Sequence, residues 1–317
     1  MLPYEKEKIE ILTKYRSNIS TVKRKDILSY GLINLNKPSG KICSEVLNEV
    51  RRILHVKKAG YAGTLDPKVT GVLPIGLGKA TKVMEFFSLG GKKYKGTMYL
   101  HKSVDKKNLD KAVKKFTGKI KQKPPILSSV KRVEREREVY ALKLTEVKGR
   151  NIKFQISCQH GFYVRKFCHD FGEYLGVGAH MTFLERIQAA HFKIEESITL
   201  EELKKNYSKW QDTGKDKYLE KIILPIEEAV SFLPKVWIDD DVIEHVSHGS
   251  PIFVPAVLKL TSNIKEGSNV AIFNTKNQLI GIGIAEMNSK DILNREKGLA
   301  IKTNKVLITS LYSHTEK

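Results

Sequence analysis

A chain of 317 residues, 41% hydrophobic and 8% aromatic, has room for two domains with sizeable cores and cannot be globally disordered. Its 56 Lys+Arg against 35 Asp+Glu leave +21, a surplus that calls for a polyanionic partner, nucleic acid or an anionic membrane face. No run of 18 apolar residues exists, which excludes a membrane-spanning helix and favours nucleic acid. In chain order, residues 1–30 hold seven basic and four acidic side chains with weak periodicity and read as a helical arm or extension. They contain no apolar stretch of the kind a secretory signal needs. Gly31 to Asn34 reads as a strand that runs into the turn Lys37-Pro38-Ser39-Gly40, and Ser44 opens a helix with Val46, Leu47, Val50, Ile53 and Leu54 on one face. Ala59 to Pro74 is rich in Gly and Pro and is expected to break regular structure. Ala80 to Phe87 predicts a short apolar helix, Tyr94 to Leu100 a strand, and Asp105 caps a helix with Leu109, Ala112, Val113 and Phe116 inward. Val139 to Val147 and Ile152 to Cys158 predict a hairpin across Gly149-Arg150; Val164 to Leu175 and His180 to Gln188 predict helices; Thr199 with Glu202 forms a capping box.

The charge is unevenly placed. Val236 to Lys317 carry nine Lys+Arg and nine Asp+Glu, so residues 1–235 hold the whole surplus, 47 minus 26. With Leu233-Pro234 at the change, a boundary is expected near 235. Beyond Trp237, short apolar runs (Val270–Phe273, Leu279–Ala285, Ala300–Ile301, Val306–Ile308) between turn residues predict a small β-rich module. Before it, strands and helices do not alternate one by one, so the expected class is α+β with antiparallel hairpins. The three cysteines, Cys43, Cys158 and Cys168, are too scattered for a disulfide framework and suggest a reducing compartment.

The sharpest local signal is Gly60-Tyr61-Ala62-Gly63-Thr64-Leu65-Asp66-Pro67: glycines bracket one carboxylate, and Pro67 drives Asp66 out of helical dihedrals. A rigid loop holding a single Asp suits nucleophilic or general-base chemistry, while taken alone the segment reads first as a common turn. Gly161-Phe162-Tyr163-Val164-Arg165 marks a strand-to-helix hinge. A buried Arg there would hold a carboxylate in a bidentate pair; alone it also reads as a surface Arg on a first helical turn. Other candidates have plainer readings. Cys158, His160, Cys168 and His169 fit no zinc spacing, no zinc-deaminase signature is present, and no metal is expected. Gly76-x-Gly78-Lys79 is not a P-loop, and Gly281-x-Gly283 suits a tight strand region. Lys119 to Arg137 holds seven basic residues around Pro124-Pro125 and is a candidate phosphate contact.

Taken together, Lys37-Pro38-Ser39-Gly40, Gly63 through Pro74, Lys93-Tyr94, Gly161-x-Tyr163-Val164-Arg165 and Gly178-Ala179-His180-Met181 closely resemble, in order and spacing, the uridine-to-pseudouridine isomerases of the TruB/dyskerin family. Pro124-Pro125-x-x-Ser128-Ser129-Val130-Lys131-Arg132 and Gly176 to Met181 resemble its archaeal, guide-RNA-dependent branch. The resemblance implies an antiparallel-sheet α+β synthase domain over 31–235 and a PUA pseudo-barrel over 236–317, against which residues 1–30 pack. It implies that Asp66 is the catalytic carboxylate, salt-bridged by Arg165, and that Tyr94 stacks on the target base and is available for proton transfer at C5. Tyr163 and Leu184 would form the uracil pocket, with Lys37 and Pro38 as buttresses. It implies an RNA pseudouridine synthase acting on ribosomal RNA in an H/ACA particle, in a cytoplasmic archaeal-type ribonucleoprotein. Its partners would be guide RNA, substrate RNA and small accessory proteins, with no membrane. Substrate and product are isomers, so no cofactor is expected. Two alternatives stand beside it: a stand-alone synthase for the T-loop uridine of tRNA, which in bacteria usually carries a longer insertion near 101–105, and a non-catalytic RNA-binding protein. Attack by Asp66 at C6, at C1′, or abstraction of a sugar proton all remain open. The chain departs from the family pattern at three places. Tyr61 replaces a His, Glu185-Arg186 replaces a pair of arginines and is expected to lose one phosphate contact, and Ala190 replaces a Gly.

Overall fold

The computed structural model describes residues 9–13, 26–123 and 133–307. Two sheets organise it. The first has ten strands. Its path runs Leu224–Pro225, Gly31–Lys37, Thr70–Leu77, Ala179–Ala189, Lys92–Leu100, Asn151–Cys158, Arg135–Lys148, Gly118–Gln122, with Ala59–Tyr61 and Phe192–Lys193 attached to the side. Every pairing is antiparallel except that of Thr70–Leu77 with Ala179–Ala189, where Thr70 faces Glu185 and Gly71 faces Arg186. The second, seven-stranded sheet follows Lys235: Val257–Thr261, Lys235–Ile238, Asn269–Phe273, Leu279–Ala285, Leu299–Val306 and Ile252–Phe253 in spatial order, with Ile11–Thr13 on its outer edge.

Four helices form where the apolar spacing and caps predict them. Cys43–Leu54 buries Val46, Val50 and Leu54, four residues apart on one stripe. Lys106–Lys115 starts from the Asp105 carboxylate, which accepts from the Asn108 N–H at 2.9 Å. Leu200–Thr213 opens on the reciprocal Thr199–Glu202 box and stops at Gly214, whose φ of +64° suits a residue without Cβ. Val164–Tyr174 buries Phe167, Cys168 and Phe171 against the first sheet.

Three expectations are corrected. His180–Gln188 is not a helix but part of strand Ala179–Ala189. Its buried positions do alternate, Leu184, Arg186 and Gln188, but two of the three are polar, so the period of two is invisible to a count of apolar residues. Ala59–Pro74 is not irregular throughout, since it contains Ala59–Tyr61 and the start of Thr70–Leu77. Its glycines permit close approach rather than a break. A Cβ on Gly71, at φ +106°, would lie 2.2 Å from the Arg186 carbonyl oxygen. Among its described residues the N-terminal arm supplies a strand, Ile11–Thr13, in antiparallel register with Lys259–Thr261, and a short helix, Ile27–Tyr30. Pro124–Arg132 and Ile308 lie outside the described residues.

The core divides into three. One lies under the first sheet, around Ile33, Leu73, Phe154, Phe167 and Phe171. One lies within the second sheet, around Val236, Ile272 and Ile301. The third is shared: Leu32, Val72, Phe87 and Ala190 pack with Trp237, Phe273, Leu279 and Leu307. The two sheets are therefore joined through buried apolar surface.

Candidate active site

Asp66 sits in the loop between Ala59–Tyr61 and Thr70–Leu77. Gly63 turns the loop at φ +73°, and three buried side chains hold it from behind. Lys37, fully enclosed, donates through Nζ to the carbonyls of Pro38 at 2.7 Å and Pro67 at 3.0 Å. This ties the Lys37-Pro38 turn to the residue after Asp66, and Gly40 N–H adds a second tie to the Pro67 carbonyl at 2.9 Å. Burial lowers the Lys37 pKa, with Cys43 and Glu45 opposing. On the other side, the Cys43 thiol accepts from the Leu65 N–H at 3.2 Å and donates to the Leu65 carbonyl at 3.3 Å. From below, Arg186 donates to the Gly63 carbonyl at 3.0 Å. The residues flanking Asp66 are thus fixed, while its own side chain is about half exposed.

Arg165, on the first turn of Val164–Tyr174, reaches Asp66 through a direct Nη2–Oδ2 contact. The predicted pair exists, but not as a buried, bidentate one: both side chains are half open to solvent, and one guanidinium nitrogen meets one carboxylate oxygen. Arg165 is the exposed residue of that first turn, whose Val164 and Phe167 are buried. Tyr163 caps the same helix. The Gln122 side chain, 3% exposed, accepts from the Tyr163 N–H at 2.9 Å and donates to its carbonyl at 3.2 Å. Gln122 thereby acts as a ladder partner for the hinge between Phe162 and Arg165.

Tyr94 is 9% exposed on strand Lys92–Leu100 and directly opposite Arg186. Burial pushes its phenol pKa up, and the nearby Arg186 charge pulls against that shift. Leu184 is enclosed beside Gly96, in the main core. Lys37 and Pro38 also line a neighbouring cleft of about 280 Å³ with Thr70, Glu185 and Thr199. A larger cavity, about 570 Å³, lies away from Asp66 in the second sheet's module, between Asp239, His245, Ser250 and Phe253.

The sequence reading missed four side chains. Arg186 is 1% exposed and bonded inward, whereas Glu185 accepts from Thr70 and pairs with Lys95. Cys43 and Gln122 look unremarkable in sequence; their only signal is position, just after the Lys37–Gly40 turn and at the mouth of the basic loop. Lys92 lies buried, bonded to the Ser88 carbonyl and to that of Gly90 at 2.6 Å. Burial first, and the Arg186 charge second, lower its pKa to about 7. Of the departures from the family pattern, Tyr61 is half-buried against the main core. Ala190 takes φ +50°, which is why a Gly suits that position. Part of the basic 119–137 segment is neutralised across its hairpin, with Lys119 on Glu136 at 3.2 Å and Lys121 on Glu134 at 3.6 Å. Among the described residues, no three His, Cys, Asp or Glu side chains converge as a metal site. Burial pushes Cys158 up to about 12 and raises Cys168, which leaves both as unreactive thiols. No described helix is long and apolar enough to cross a membrane.

Known proteins share this arrangement. Residues 51–164 match the family described as TruB family pseudouridylate synthase (N terminal domain). Residues 165–231 match the tRNA pseudouridylate synthase B C-terminal domain, and residues 234–307 the PUA domain. A "Probable tRNA pseudouridine synthase B" of Nanoarchaeum equitans is 42% identical, over 97% of this chain and 90% of the relative. One of the same name from Pyrococcus horikoshii is 43% identical over 89% and 84%. Among solved structures, a chain of "Crystal Structure of a Cbf5-Nop10-Gar1 Complex" superposes with a TM-score of 0.91 at 40% identity, covering 98% of this chain and 97% of that one. One from "Structure of H/ACA RNP bound to a substrate RNA containing 2'-deoxyuridine" gives 0.88 at 37% identity, covering 97% of each. With a glycine-bracketed Asp66 under Arg165, and with relatives matched along nearly its whole length, the chain belongs to the TruB family of pseudouridine synthases, which are RNA isomerases, and carries a PUA domain behind its catalytic unit.

Proposed function

We propose that this chain isomerises uridine to pseudouridine in ribosomal RNA as the catalytic subunit of a cytoplasmic H/ACA guide RNA–protein complex. Its partners are a guide RNA, the substrate RNA and small accessory proteins. The observation that carries this reading is the Asp66–Arg165 contact on an open, braced loop, in a chain that runs the full length of a Cbf5 chain from a complex with Nop10 and Gar1. Residues 31–235 form the synthase unit and 236–317 the RNA-reading module; the family matches ending at 231 and starting at 234 support that division.

In this reading a uridine leaves its helix, because a paired base is out of reach of any side chain. Its uracil stacks on Tyr94 between Tyr163 and Leu184. Asp66 is the reacting carboxylate, reachable because its side chain is open, and Arg165 supplies the counter-charge and orients its oxygens. Lys37 and Pro38 fix the loop from behind. The C1′–N1 bond breaks, the ring turns, C1′ joins C5, and the C5 proton is removed, with Tyr94 within the site to relay it. N1 gains a proton, so atoms balance without an external reagent.

A second reading, a stand-alone tRNA synthase, is favoured by the names of the archaeal relatives. The test is pseudouridine formation in a ribosomal RNA fragment and in tRNA, with and without guide RNA and accessory proteins. Guide-dependent product in the ribosomal fragment is expected. Product in tRNA alone, without guide, would shift the assignment to the second reading, and no product in either RNA would refute both.

A further inference from the structure

We propose that Arg186 is a positioning residue that sets the distance between the Asp66 loop and Tyr94. The inference rests on the reading that those two residues face the substrate. Arg186 is 1% exposed, and its guanidinium bonds both ends of the Asp66 segment. Nε donates to the Val72 carbonyl at 2.7 Å and Nη2 to the Gly63 carbonyl at 3.0 Å, while Tyr94 lies directly opposite Arg186 on the adjacent strand. Gly63 and Val72 are the two ends of the segment that carries Asp66, and Tyr94 is the cross-strand neighbour of Arg186. The main chain of Arg186 joins in: its strand pairs with Gly71, and only the missing Cβ there lets the two backbones meet.

These partners are all neutral. A cation that deep costs several kcal/mol to desolvate, and where packing is the only need an apolar side chain of similar volume serves as well or better. Burial of charge against neutral carbonyls therefore needs another rationale, and the planar fork provides it. Its fixed donors bond a loop end and a strand at once in one set geometry, which an ammonium or a methyl cannot. The chemistry needs that rigidity, because uracil must stack on one residue while its glycosidic carbon is presented to another, and about 1 Å of misplacement costs about 10²-fold in rate. The same positive charge opposes the upward push of burial on the Tyr94 phenol and pushes down on Lys92, so it acts on the protons beneath the site as well as on the geometry.

The test uses the full chain assembled with guide RNA and accessory proteins, and reads single-turnover rate and RNA affinity separately. Arg186→Lys keeps the charge and loses the fork; Arg186→Gln keeps two donors and loses the charge. The rate is expected to fall about 30- to 100-fold in Arg186→Lys with affinity within about threefold, since ground-state contacts to RNA are untouched. In a Tyr94→Ala background, where no ring is left to be positioned against the loop, the same substitution should cost at least about threefold less. Equal costs in the two backgrounds, or a loss in affinity matching the loss in rate, would overturn the proposal. So would failure of both variants to fold, because the residue would then be structural alone. Asp66→Asn runs in parallel. If it stays active, the underlying reading fails; if it is dead while Arg186→Lys is fully active, only this inference fails.

Discussion

Gly71→Ala tests the close approach on which the site is built. The added Cβ would lie 2.2 Å from the Arg186 carbonyl oxygen, against 3.4 Å for ordinary contact. The strands Thr70–Leu77 and Ala179–Ala189 would have to part by the difference, about 1.2 Å. A φ of +106° adds about 1–3 kcal/mol of backbone strain for a residue with a side chain, and overpacking adds about 1–3 more. A total near 4 kcal/mol corresponds to a fall of about 10 °C in Tm for a domain of about 200 residues. Because the displaced strand begins at the end of the Asp66 loop, the rate should fall about 10²-fold as well. Gly149→Ala is the matched control, with φ +56° and nothing within 4 Å of its Cβ, and should show the backbone cost alone. Calorimetry and single-turnover pseudouridine formation measure both effects. If the two variants are equally stable and equally active, the parallel pairing at Gly71 is wrong, and with it the account of how Arg186 meets the loop.

Three further outcomes follow from the same contacts. Cys43→Ser should stay within about threefold of wild type, whereas Cys43→Ala, which strips both Leu65 contacts, should lose about 1–2 kcal/mol in denaturant unfolding and about tenfold in rate. Lys92 has a folded-state pKa lowered to about 7 from 10.5, so between those values the unfolded chain binds the extra proton and stability rises with pH, then levels off above 10.5. Relative to Lys92→Met, wild type should gain about 1 kcal/mol per pH unit between about pH 7.5 and 9.5; a flat difference would mean that Lys92 is solvated. Deleting residues 236–317 should uncover Leu32, Val72, Phe87 and Ala190, raise binding of an apolar dye and lower Tm, and an unchanged Tm would show that the shared core does not couple the two sheets.

The sequence marks the proposed site residues more plainly than their scaffolding. Asp66, Tyr163 and Arg165 stand out because glycines, a proline and a strand-to-helix hinge mark their positions, whereas Tyr94 is singled out only by the family resemblance. The hairpin of Arg135–Lys148 with Asn151–Cys158 and the capped helices are visible because periodicity and caps are local signals. Arg186, Gln122 and Cys43 were not visible. Each works through backbone groups far away in sequence, Gly63 lying 123 residues before Arg186 and Tyr163 lying 41 after Gln122. Buried polar side chains also erase the alternation by which a strand is recognised, which is why Ala179–Ala189 reads as a helix. Gly71 and Gly76 look like breakers because composition cannot distinguish a glycine that bends the chain from one that admits a neighbour. A Cβ on Gly76 would meet Met84 Sδ at 2.8 Å, well inside a regular strand.

The central claim is that the carboxylate of Asp66 does the chemistry, and Asp66→Asn tests it most directly because it keeps the side chain's shape and removes its charge. Asp66 is the only acidic residue between Gly60 and Val83, so no neighbour in that segment can substitute for it. RNA affinity and pseudouridine formation are measured on the same assembled complex. Affinity should hold within a few-fold, while turnover should fall by about 10²–10⁴ or more, as expected for a lost acid–base or nucleophilic group. Turnover within about tenfold of wild type would contradict the account, since a site stripped of its reacting carboxylate has no other means to break the glycosidic bond.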